Sequence, residues 1–467
     1  MELGLHPEAT ECRLLLCKSG VSFAERNTTV LNQVPFGASR RCTLQKHLKK
    51  TAASALPLTR TEVFRQTPRT EVAVENGHKK TSQILVAEFL LANSSSSRLA
   101  ARSMLDEAEA MLRAVVADLA RLPNIEVTVL LSAEAAARFA ESHICCAPDC
   151  RNHVLIHRGE LQPDELPTIL CPQSQQAAFD AVLLIAPECD GVLVSLLKAL
   201  EASDALPMLS LNLDWRLAEI FADKRMTDVW LRNHGIATIS TRTIDDTTAD
   251  LLRGTLPQDS GTGKVTDIHR AIMDHLAVLK PRDGAGADGV RIVRFNHRLF
   301  QDLPQQSSHN DRWILQPFMP GVACSVGFIG GGERSPTTIL PPARQNILVS
   351  DGMMSYHGGQ IPCESAIASR IAPVAEKIAV ALGSFNGYLG ADLLVDLAVP
   401  EGAEGSVRVV EINPRLCTSY VGYQALAEDN LAAWMLHLHA HRTIRWKAGV
   451  VTFSANGETR FTSTPTV

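Results

Sequence analysis

Two acids and one carboxamide stand near the ends of two consecutive strand-like segments in the C-terminal half of the sequence. The segments 389–399 and 406–413 alternate polar and apolar residues. This pattern predicts that the two segments fold back on the loop between them as a hairpin, which brings Asp392 opposite Asn413. Since side chains two positions apart in a strand share a face, we expect Asp392, Glu411 and Asn413 to converge on one face.

The opposite face of the same hairpin is entirely apolar, which predicts that it packs into the core. Its residues are Leu393, Val395, Leu397, Val410 and Ile412. Two carboxylates and a carboxamide oxygen are hard donors that suit Mg²⁺, with phosphate oxygens completing its octahedron. A solvated strand end with accidental acids is the alternative. The cation of Arg415, shortly after the set, favours an anionic ligand there.

A glycine-rich segment, KPRDGAGADGV at 280–290, offers a second group of candidate binding residues. Gly284, Gly286 and Gly289 match the spacing of a dinucleotide-binding loop, but that loop needs a helix after it. The residues that follow form a strand pattern, so the segment predicts a strand–loop–strand flap whose backbone N–H groups fold over phosphates. Lys280 adds a point charge. A plain hairpin turn is the alternative.

An apolar strand meets a Pro/Gly bend in the segment WILQPFMPG, residues 313–321. Such a bend exposes backbone donors and acceptors that suit a flat base. A simple chain reversal has the same sequence character, so both interpretations are open from the sequence.

The elements that must position these residues follow two different patterns. Residues 82–214 alternate short apolar strands with helices, which predicts a parallel sheet covered on both faces. A helix over 215–234 follows. From residue 276 onward the pattern changes to hairpins, one of them WILQPFMPGVACSVGFIGGG. The fold class is therefore α/β, with an N-terminal parallel α/β domain followed by an α+β domain.

The first 81 residues differ from the remainder of the chain. Residues 1–80 carry 13 Lys and Arg against 7 Asp and Glu, a net charge of about +6, and the remainder is about −11. The segment also lacks sustained periodicity. We therefore interpret 1–81 as a disordered or leader tail and expect the ordered core to start near residue 82.

Composition excludes several classes of protein. Hydrophobic residues make up 45 % and charged residues 20 % of the 467, which excludes a fully disordered chain. A net charge of −5 and 5 % aromatics argue against a nucleic-acid partner. No apolar run reaches the ~20 residues of a spanning helix, so no membrane partner is expected.

Cysteine usage bears on compartment and on metal binding. The 11 cysteines lack framework spacing and no secretory signal is evident, which predicts reduced thiols and a cytoplasmic location. The Cys/His-rich stretch at 143–157 fits no usual zinc spacing, so an ordinary loop is expected there.

These parts, in this order, resemble the ATP-grasp superfamily. The resemblance rests on FADKRMT with Lys224, KPRDGAGADGV, LQPFMPG and VEINPR, and it covers about 82–440. It implies a pre-ATP-grasp domain at 82–214, followed by a two-lobed ATP-grasp domain. The small lobe would span 215–318 and the large lobe 319–467, with a C-terminal hairpin.

The resemblance also implies how ATP is bound between the two lobes. Lys224 and Lys280 would contact phosphates or base, together with the flap glycines. Gln316 and Met319 would hold adenine, largely through backbone groups. One departure is that the stretch GVACS at 321–325 has no acid where these enzymes commonly bind the ribose hydroxyls.

Metal and catalytic residues follow from the same resemblance. Asp392, Glu411 and Asn413 would hold Mg²⁺, or Mn²⁺ in its place, with Glu411 bridging two ions. Lys280 and Arg415 would act in catalysis by neutralising charge on the transferred phosphoryl group and the acyl phosphate.

The nearest resemblance within the superfamily is to the tyramine–L-glutamate ligase group of carboxylate–amine ligases. It rests on ILVAEFLLA, YHGGQIPCES and EINPRLCTSYVGY. It implies an amino acid and an amine as substrates, such as glutamate and tyramine, and a homodimer is among the expectations. A carboxylase that makes carboxyphosphate and a non-catalytic nucleotide-binding protein are the alternatives.

Overall fold

The part of the chain that the computed structural model describes has several gaps. It comprises residues 81–142, 154–171, 178–203, 208–244, 276–294, 312–333, 335–439 and 442–463. All of these residues belong to the same compact unit. The expected tail before residue 81 and residues 143–153 of the Cys/His-rich stretch lie outside the described residues, so both interpretations stay predictions there. The end of that stretch, residues 154–157, lies in a strand, so the expected loop was wrong for these residues.

Five parallel strands form the N-terminal sheet. They are β1 (Ser82–Glu88), β2 (Ile125–Leu131), β3 (Val154–Arg158), β4 (Ala181–Ile185) and β5 (Leu209–Ser210). The order is β3-β2-β1-β4-β5, and β1 is almost wholly buried because both faces of the sheet are covered. The prediction of a covered parallel sheet is confirmed. From β1 the chain continues to β2 and β3 on one side of the sheet, and it later forms β4 and β5 on the other side. The sheet therefore has a topological switch point between β1 and β4.

Helices cover this sheet. They are α1 (Phe89–Ala92), α2 (Ser94–Leu99), α3 (Arg102–Ala120), α4 (Ala133–Ser142), α5 (Leu166–Leu170) and α6 (Val192–Ala202). The 19-residue α3 buries Leu112, Val115 and Leu119, which recur at three- and four-residue steps. No helix in the described part of the chain is long and apolar enough to cross a membrane.

The second sheet is antiparallel and contains the remaining strands. They are β6 (Arg242–Thr243), β7 (Leu276–Pro281), β8 (Arg291–Arg294), β9 (Trp313–Pro317), β10 (Val322–Gly331), β11 (Thr338–Ile339), β12 (Ala343–Ser350), β13 (Met353–Ile361), β14 (Asn386–Val395), β15 (Val407–Asn413), β16 (Gly449–Phe453) and β17 (Thr459–Ser463). The main order is β15-β14-β10-β12-β13-β8-β7-β9-β6, and the C-terminal hairpin β16–β17 joins β13.

A narrow junction divides this sheet into two ends. Strands β6 to β9 form one end, with a core of Ile244, Ala277, Leu279 and Leu315. The other strands share larger clusters of buried residues. Between β13 and β8 the register contains a single residue pair, Met353 with Arg291.

Helices α7 (Trp215–Ala222), α8 (Lys224–Asn233), α9 (Ser365–Leu382), α10 (Ser419–Leu426) and α11 (Leu431–Met435) complete the fold. The prediction of one helix over 215–234 was wrong. Asp223 has an extended backbone and its carboxylate accepts the N–H groups of Arg225 and Met226, so it ends one helix and caps the next. Lys224 therefore occupies the first position of α8.

The predicted hairpin WILQPFMPGVACSVGFIGGG was also wrong. Its first strand, β9, pairs with β7 and β6, whereas β10 pairs with β11, β12 and β14. The bend between Pro317 and Gly321 therefore carries the chain from one end of the sheet to the other instead of folding it back on itself.

Candidate functional site

A cavity, open at its mouth, lies between the two ends of the second sheet and beside α3. Ten of the predicted site residues line it: Lys224, Lys280, Gly284, Gly286, Gln316, Met319, Asp392, Glu411, Asn413 and Arg415. Gly289 does not. It has a φ of +70°, and a Cβ there would lie 3.3 Å from Pro281 Cγ, so glycine at this position serves the turn of the flap.

The hairpin β14–β15 supplies the acidic wall of the cavity, in a register that differs from the prediction. Asp392 pairs with Glu411, and Asn413 pairs with Gly390. All three predicted side chains nevertheless line the cavity. Because directly paired residues of an antiparallel ladder have Cβ atoms about 5 Å apart, the two carboxylates are immediate neighbours.

A β-bulge explains why the register differs. The pairing shifts between Asp392 and Leu393, which next pairs with Val409. Val410 is therefore the extra residue of the bulge. It lines the cavity, while Val409 is buried in the core. The assignment of Val410 to the apolar face was wrong for this reason.

The predicted ends of the two strands also need correction. Leu397, which was expected on the apolar face, lies beyond the end of β14 at Val395 and is 53 % exposed. The two strands span Asn386–Val395 and Val407–Asn413. Compared with the prediction, the hairpin therefore extends further at the start of β14 and ends earlier at the loop.

Asp392 is held by two amides. Gln345 Nε2 donates to Asp392 Oδ1 at 2.8 Å, and Asn413 Nδ2 donates to Oδ2 at 3.1 Å. Burial and the neighbouring Glu411 carboxylate raise the pKa of Asp392 to about 7. Adjacent carboxylates in a buried wall repel each other unless a cation lies between them.

The donor set of this wall fits a hard divalent cation. Asp392 and Glu411 supply carboxylate oxygens, and Asn413 supplies an amide oxygen once its amide turns to present it. Among the described residues no group of three or more His, Cys, Asp or Glu side chains forms a metal site. Such a cation would therefore need oxygens from a bound ligand, as Mg²⁺ sites at phosphates usually do.

Two lysines face the acidic wall. Lys280 Nζ lies 3.0 Å from Glu411 Oε2, and Lys224 Nζ lies 3.7 Å from the same oxygen. Although burial opposes its ionisation, these two cations lower the pKa of Glu411 to about 2. Burial lowers the pKa of Lys280, while Glu411 opposes that shift. The two lysines are thus placed where phosphate oxygens would need positive charge.

The contact between Lys280 and Glu411 shows how strongly the second sheet curves. Five strands separate β7 from β15 in the sheet order. In a flat sheet with a spacing of about 4.8 Å, the two strands would be about 29 Å apart. Their side chains meet at 3.0 Å, so the sheet curls around the cavity.

The flap over residues 282–290 is anchored to α8. Arg282 donates to Asp223 Oδ2 from Nε at 2.9 Å, and the Lys224 backbone N–H donates to Arg282 O at 3.0 Å. The Lys224 ammonium also donates to the carbonyl of Gly284. The flap is the predicted strand–loop–strand unit between β7 and β8, and these contacts fix its base beside the lysines.

The residues predicted for the base lie on the third side of the cavity. Gln316 is buried in β9, and its Nε2 donates to Thr241 Oγ1 at 2.9 Å. Met319 follows the end of β9 and lines the cavity. Along β10 the residues that line the cavity are Ala323 and Ser325, so this strand offers a small hydroxyl where a carboxylate was missing from the sequence.

The N-terminal sheet meets the cavity at Arg415. Glu188, which follows β4, is buried and places Oε1 3.0 Å from Arg415 Nε. Glu88 ends β1, where it caps α1 by accepting the N–H of Leu91 at 2.9 Å, and burial raises its pKa to about 8. Both acids lie at the carboxyl ends of the two strands that flank the switch point, where α/β sheets usually bind ligands.

Sequence reasoning missed Gln345 and Tyr356, which line the cavity from β12 and β13. The signal was present, since Asp351 and Gly352 between these strands both have positive φ, and an Asp-Gly pair favours a tight hairpin turn. Glu107 on α3 and Glu188 were also missed. No local pattern marks them, because their partners Thr418 and Arg415 are more than 200 residues away in the sequence.

His357 and Cys417 differ in their position relative to the cavity. His357 is exposed and contacts Ser355 Oγ at 3.0 Å, and it does not line the cavity. Cys417 does line the cavity, but burial raises the pKa of its thiol. A thiolate nucleophile is therefore disfavoured at this position.

Comparison with known proteins identifies related domains along most of this region. Residues 222–419 match the model of an ATP-grasp domain, and residues 125–208 match that of a pre-ATP-grasp domain. The tyramine–L-glutamate ligase of Methanocaldococcus fervens is 22 % identical over 278 residues, which are 60 % of this chain and 72 % of that protein.

Solved structures share the fold at low identity. An ATP-grasp superfamily protein from Archaeoglobus fulgidus aligns with a TM-score of 0.51 at 19 % identity, over 79 % of this chain and 92 % of that chain. The biotin carboxylase domain of the 2-oxoglutarate carboxylase of Hydrogenobacter thermophilus, in complex with MgADP, aligns with a TM-score of 0.55 at 12 % identity. That alignment covers 80 % of this chain and 74 % of that chain.

Proposed function

The chain belongs to the ATP-grasp superfamily, and on that premise we propose that it is an ATP- and Mg²⁺-dependent ligase that joins a carboxylate to an amine through an acyl phosphate. The observation that carries the proposal is the composition of one cavity wall. Lys280 and Lys224 lie within 3.7 Å of Glu411, Asp392 is the partner of Glu411 across the strands, and Arg415 lines the same cavity.

The nucleotide has a consistent place in this cavity. Its phosphates lie between the flap and the acidic wall, where Lys224 and Lys280 supply positive charge and the glycines at 284 and 286 admit close backbone approach. The base lies toward the end of β9, between Gln316 and Met319. On β10, Ser325 is the polar residue that would contact the ribose hydroxyls in place of the absent acid.

Asp392, Glu411 and Asn413 would hold Mg²⁺, which when bound neutralises phosphate charge and orients the phosphoryl group for transfer. The remaining work falls to side chains of the chain itself. Lys280 loses its contact with Glu411 and turns its charge to the phosphates. The flap, fixed at its base by Arg282 and Asp223, excludes water from the activated acid.

Activation of the acid is the reason for using ATP. A carboxylate does not condense with an amine at neutral pH because oxide is a poor leaving group. Transfer of the γ-phosphoryl group to the carboxylate makes phosphate the leaving group. Arg415 lies where its planar fork of donors can hold the acyl phosphate, and its ion pair with Glu188 fixes its direction.

We propose glutamate as the acid and an aromatic amine such as tyramine as the acceptor. The support is the similarity to the tyramine–L-glutamate ligase of M. fervens. The carboxylate–amine reaction rests on the cavity wall, whereas the identity of the two substrates rests on this relative.

Substitution of Glu411 by Gln tests the role of the acidic wall. Glu411→Gln keeps the shape of the side chain but removes the charge that faces both lysines, so ADP formation with glutamate, tyramine and Mg²⁺ should fall at least about 100-fold. ADP release by the wild type and the variant is the measurement. A variant with the exposed Glu458 changed to Gln is the control. Turnover within a few-fold of wild type in Glu411→Gln would remove this residue from the mechanism.

A trapping experiment tests the acyl phosphate itself. Hydroxylamine added with ATP, Mg²⁺ and glutamate should yield a hydroxamate without any other amine. A panel of amino acids replaces glutamate if that acid gives no signal. Bicarbonate-stimulated ADP release with no hydroxamate from any acid would establish carboxyphosphate chemistry instead. ATP binding without turnover would establish a non-catalytic protein.

A further inference from the structure

One carboxylate on the cavity wall, apart from an exposed one on the flap, has no part in the mechanism described above. Among the described residues, four carboxylates line the cavity: Glu107, Asp288, Asp392 and Glu411. Asp392 and Glu411 form the acidic wall, and Asp288 is exposed on the flap. Glu107 is the remaining one. It comes from α3, which belongs to the N-terminal domain and not to the sheet that surrounds the nucleotide site.

Glu107 lies next to the expected position of the acyl phosphate. Thr418 Oγ1 donates to Glu107 Oε2 at 2.8 Å, and Thr418 is three residues after Arg415. The other oxygen, Oε1, faces the flap, 3.8 Å from where a Cβ of Gly286 would lie. Glu107 and Arg415 are close enough to interact electrostatically, so the carboxylate borders the space into which a nucleophile must come.

The negative charge of Glu107 has no paired cation in the described part of the chain. Arg415, which interacts with Glu107 electrostatically, is ion-paired with Glu188, whose Oε1 lies 3.0 Å from Arg415 Nε. Among the described residues no ion pair within 4 Å involves Glu107. Burial raises the pKa of Glu107, although the hydrogen bond from Thr418 and the charge of Arg415 oppose the shift. A carboxylate in this setting gains from a cationic ligand and is a better proton acceptor than an exposed one.

We propose that Glu107 forms the subsite for the acceptor amine, where it binds a primary ammonium group and takes one proton from it before attack. The inference rests on the proposed ligase function and adds to it the residue that recognises the second substrate. It divides the two substrates between Arg415, which faces the acyl phosphate, and Glu107, which faces the amine.

The chemistry balances with the groups named. The ammonium gives one proton to the Glu107 carboxylate and becomes a neutral amine. Its lone pair forms the new C–N bond at the acyl carbon, and the C–O bond to phosphate breaks. The second amine proton leaves with the phosphate, and Glu107 returns its proton to solvent when the amide product departs.

The test compares two nucleophiles in a variant that lacks the carboxylate. Alkyl ammonium groups titrate near the lysine value of about 10.4, so they are protonated near pH 7, whereas hydroxylamine is mostly neutral there. In Glu107→Gln, kcat/KM for tyramine should fall at least about 100-fold. Hydroxamate formation from glutamate, ATP and Mg²⁺ should stay within about twofold of wild type, which also shows that the variant is folded and its acid and nucleotide sites work.

A matched control lies on the same helix. Glu109 is paired with Arg113 away from the cavity, so Glu109→Gln should leave both reactions unchanged. Equal losses with tyramine and hydroxylamine in Glu107→Gln would assign the residue to flap closure and overturn the proposal, and so would full activity with tyramine. If wild type forms no hydroxamate from any acid, the ligase function fails first and this subsite fails with it. If it forms hydroxamate but couples no amine in a panel of primary amines, the amine subsite alone is wrong.

Discussion

At the scale of single residues, the acidic wall contains two carboxyl groups with opposite tendencies. Glu411 faces two ammonium groups, and its pKa falls to about 2. Asp392 is buried beside that charge and has only amide donors, and its pKa rises to about 7. One acid is therefore charged throughout the physiological range, and the other becomes fully charged only above neutrality unless a cation arrives.

This contrast predicts how stability depends on pH. Between about pH 4 and 7 the folded chain keeps the proton of Asp392 and the unfolded chain releases it, so the free energy of unfolding should fall as pH rises. Asp392→Asn should make this decline shallower, because the raised pKa of Glu88 contributes a decline of its own that the variant keeps. Urea unfolding in EDTA across that range measures it, and saturating Mg²⁺ together with ADP should flatten the wild-type curve because a bound cation favours the charged acid. A wild-type curve that rises in parallel with the variant would contradict the assignment.

At the scale of elements, the flap and the hairpin illustrate what the sequence can and cannot supply. Alternation correctly predicted that Asp392, Glu411 and Asn413 face one side, because the period of a strand is a local property. It could not reveal the bulge at Val410, because a bulge depends on how one strand fits its partner. The flap was predictable from its glycines, whereas its anchor between Arg282 and Asp223 joins distant segments.

That anchor leads to a prediction about nucleotide affinity. Arg282→Gln should loosen the base of the flap without touching the acidic wall, so the KM for ATP should rise about 5- to 20-fold while kcat changes less. Steady-state kinetics at saturating acid and amine measure both constants. The exposed Arg445, which pairs with Asp429 away from the cavity, provides the control, since Arg445→Gln should alter neither. A fall in kcat alone would indicate that Arg282 acts on chemistry instead.

At the scale of the whole molecule, α3 holds the N-terminal domain against the C-terminal helices. The buried Asp118 accepts hydrogen bonds from Tyr420 Oη and Gln424 Nε2, both at 2.8 Å, and its backbone carbonyl accepts from Asn430 Nδ2 at 2.6 Å. These partners lie more than 300 residues away in the sequence. The pattern of α3 predicted a buried stripe, but no single-sequence signal could have identified what covers its polar positions.

Removing one of these donors should weaken the whole fold. Tyr420→Phe leaves Asp118 without one of its two side-chain donors in a buried site, which should cost about 1–3 kcal/mol of unfolding free energy. Urea denaturation measures the difference. Arg121→Gln is the comparison, because Arg121 approaches the same carboxylate at 3.5 Å from an exposed position and should change stability by less than about 1 kcal/mol. Equal losses in both variants would show that charge, and not the buried hydroxyl, stabilises this contact.

The contact of Lys280 with Glu411 has a thermodynamic consequence for ligand binding. An anion that takes over Lys280 leaves Glu411 with only its more distant cation, and a cation that takes over Glu411 leaves the buried Lys280 without its anion. Either ligand alone must break this ion pair and leave one buried charge poorly compensated. The two together break it once and compensate both charges. Binding of the nucleotide and of the metal should therefore be positively coupled, by the same factor in either order, and the half-occupied states should be the least populated.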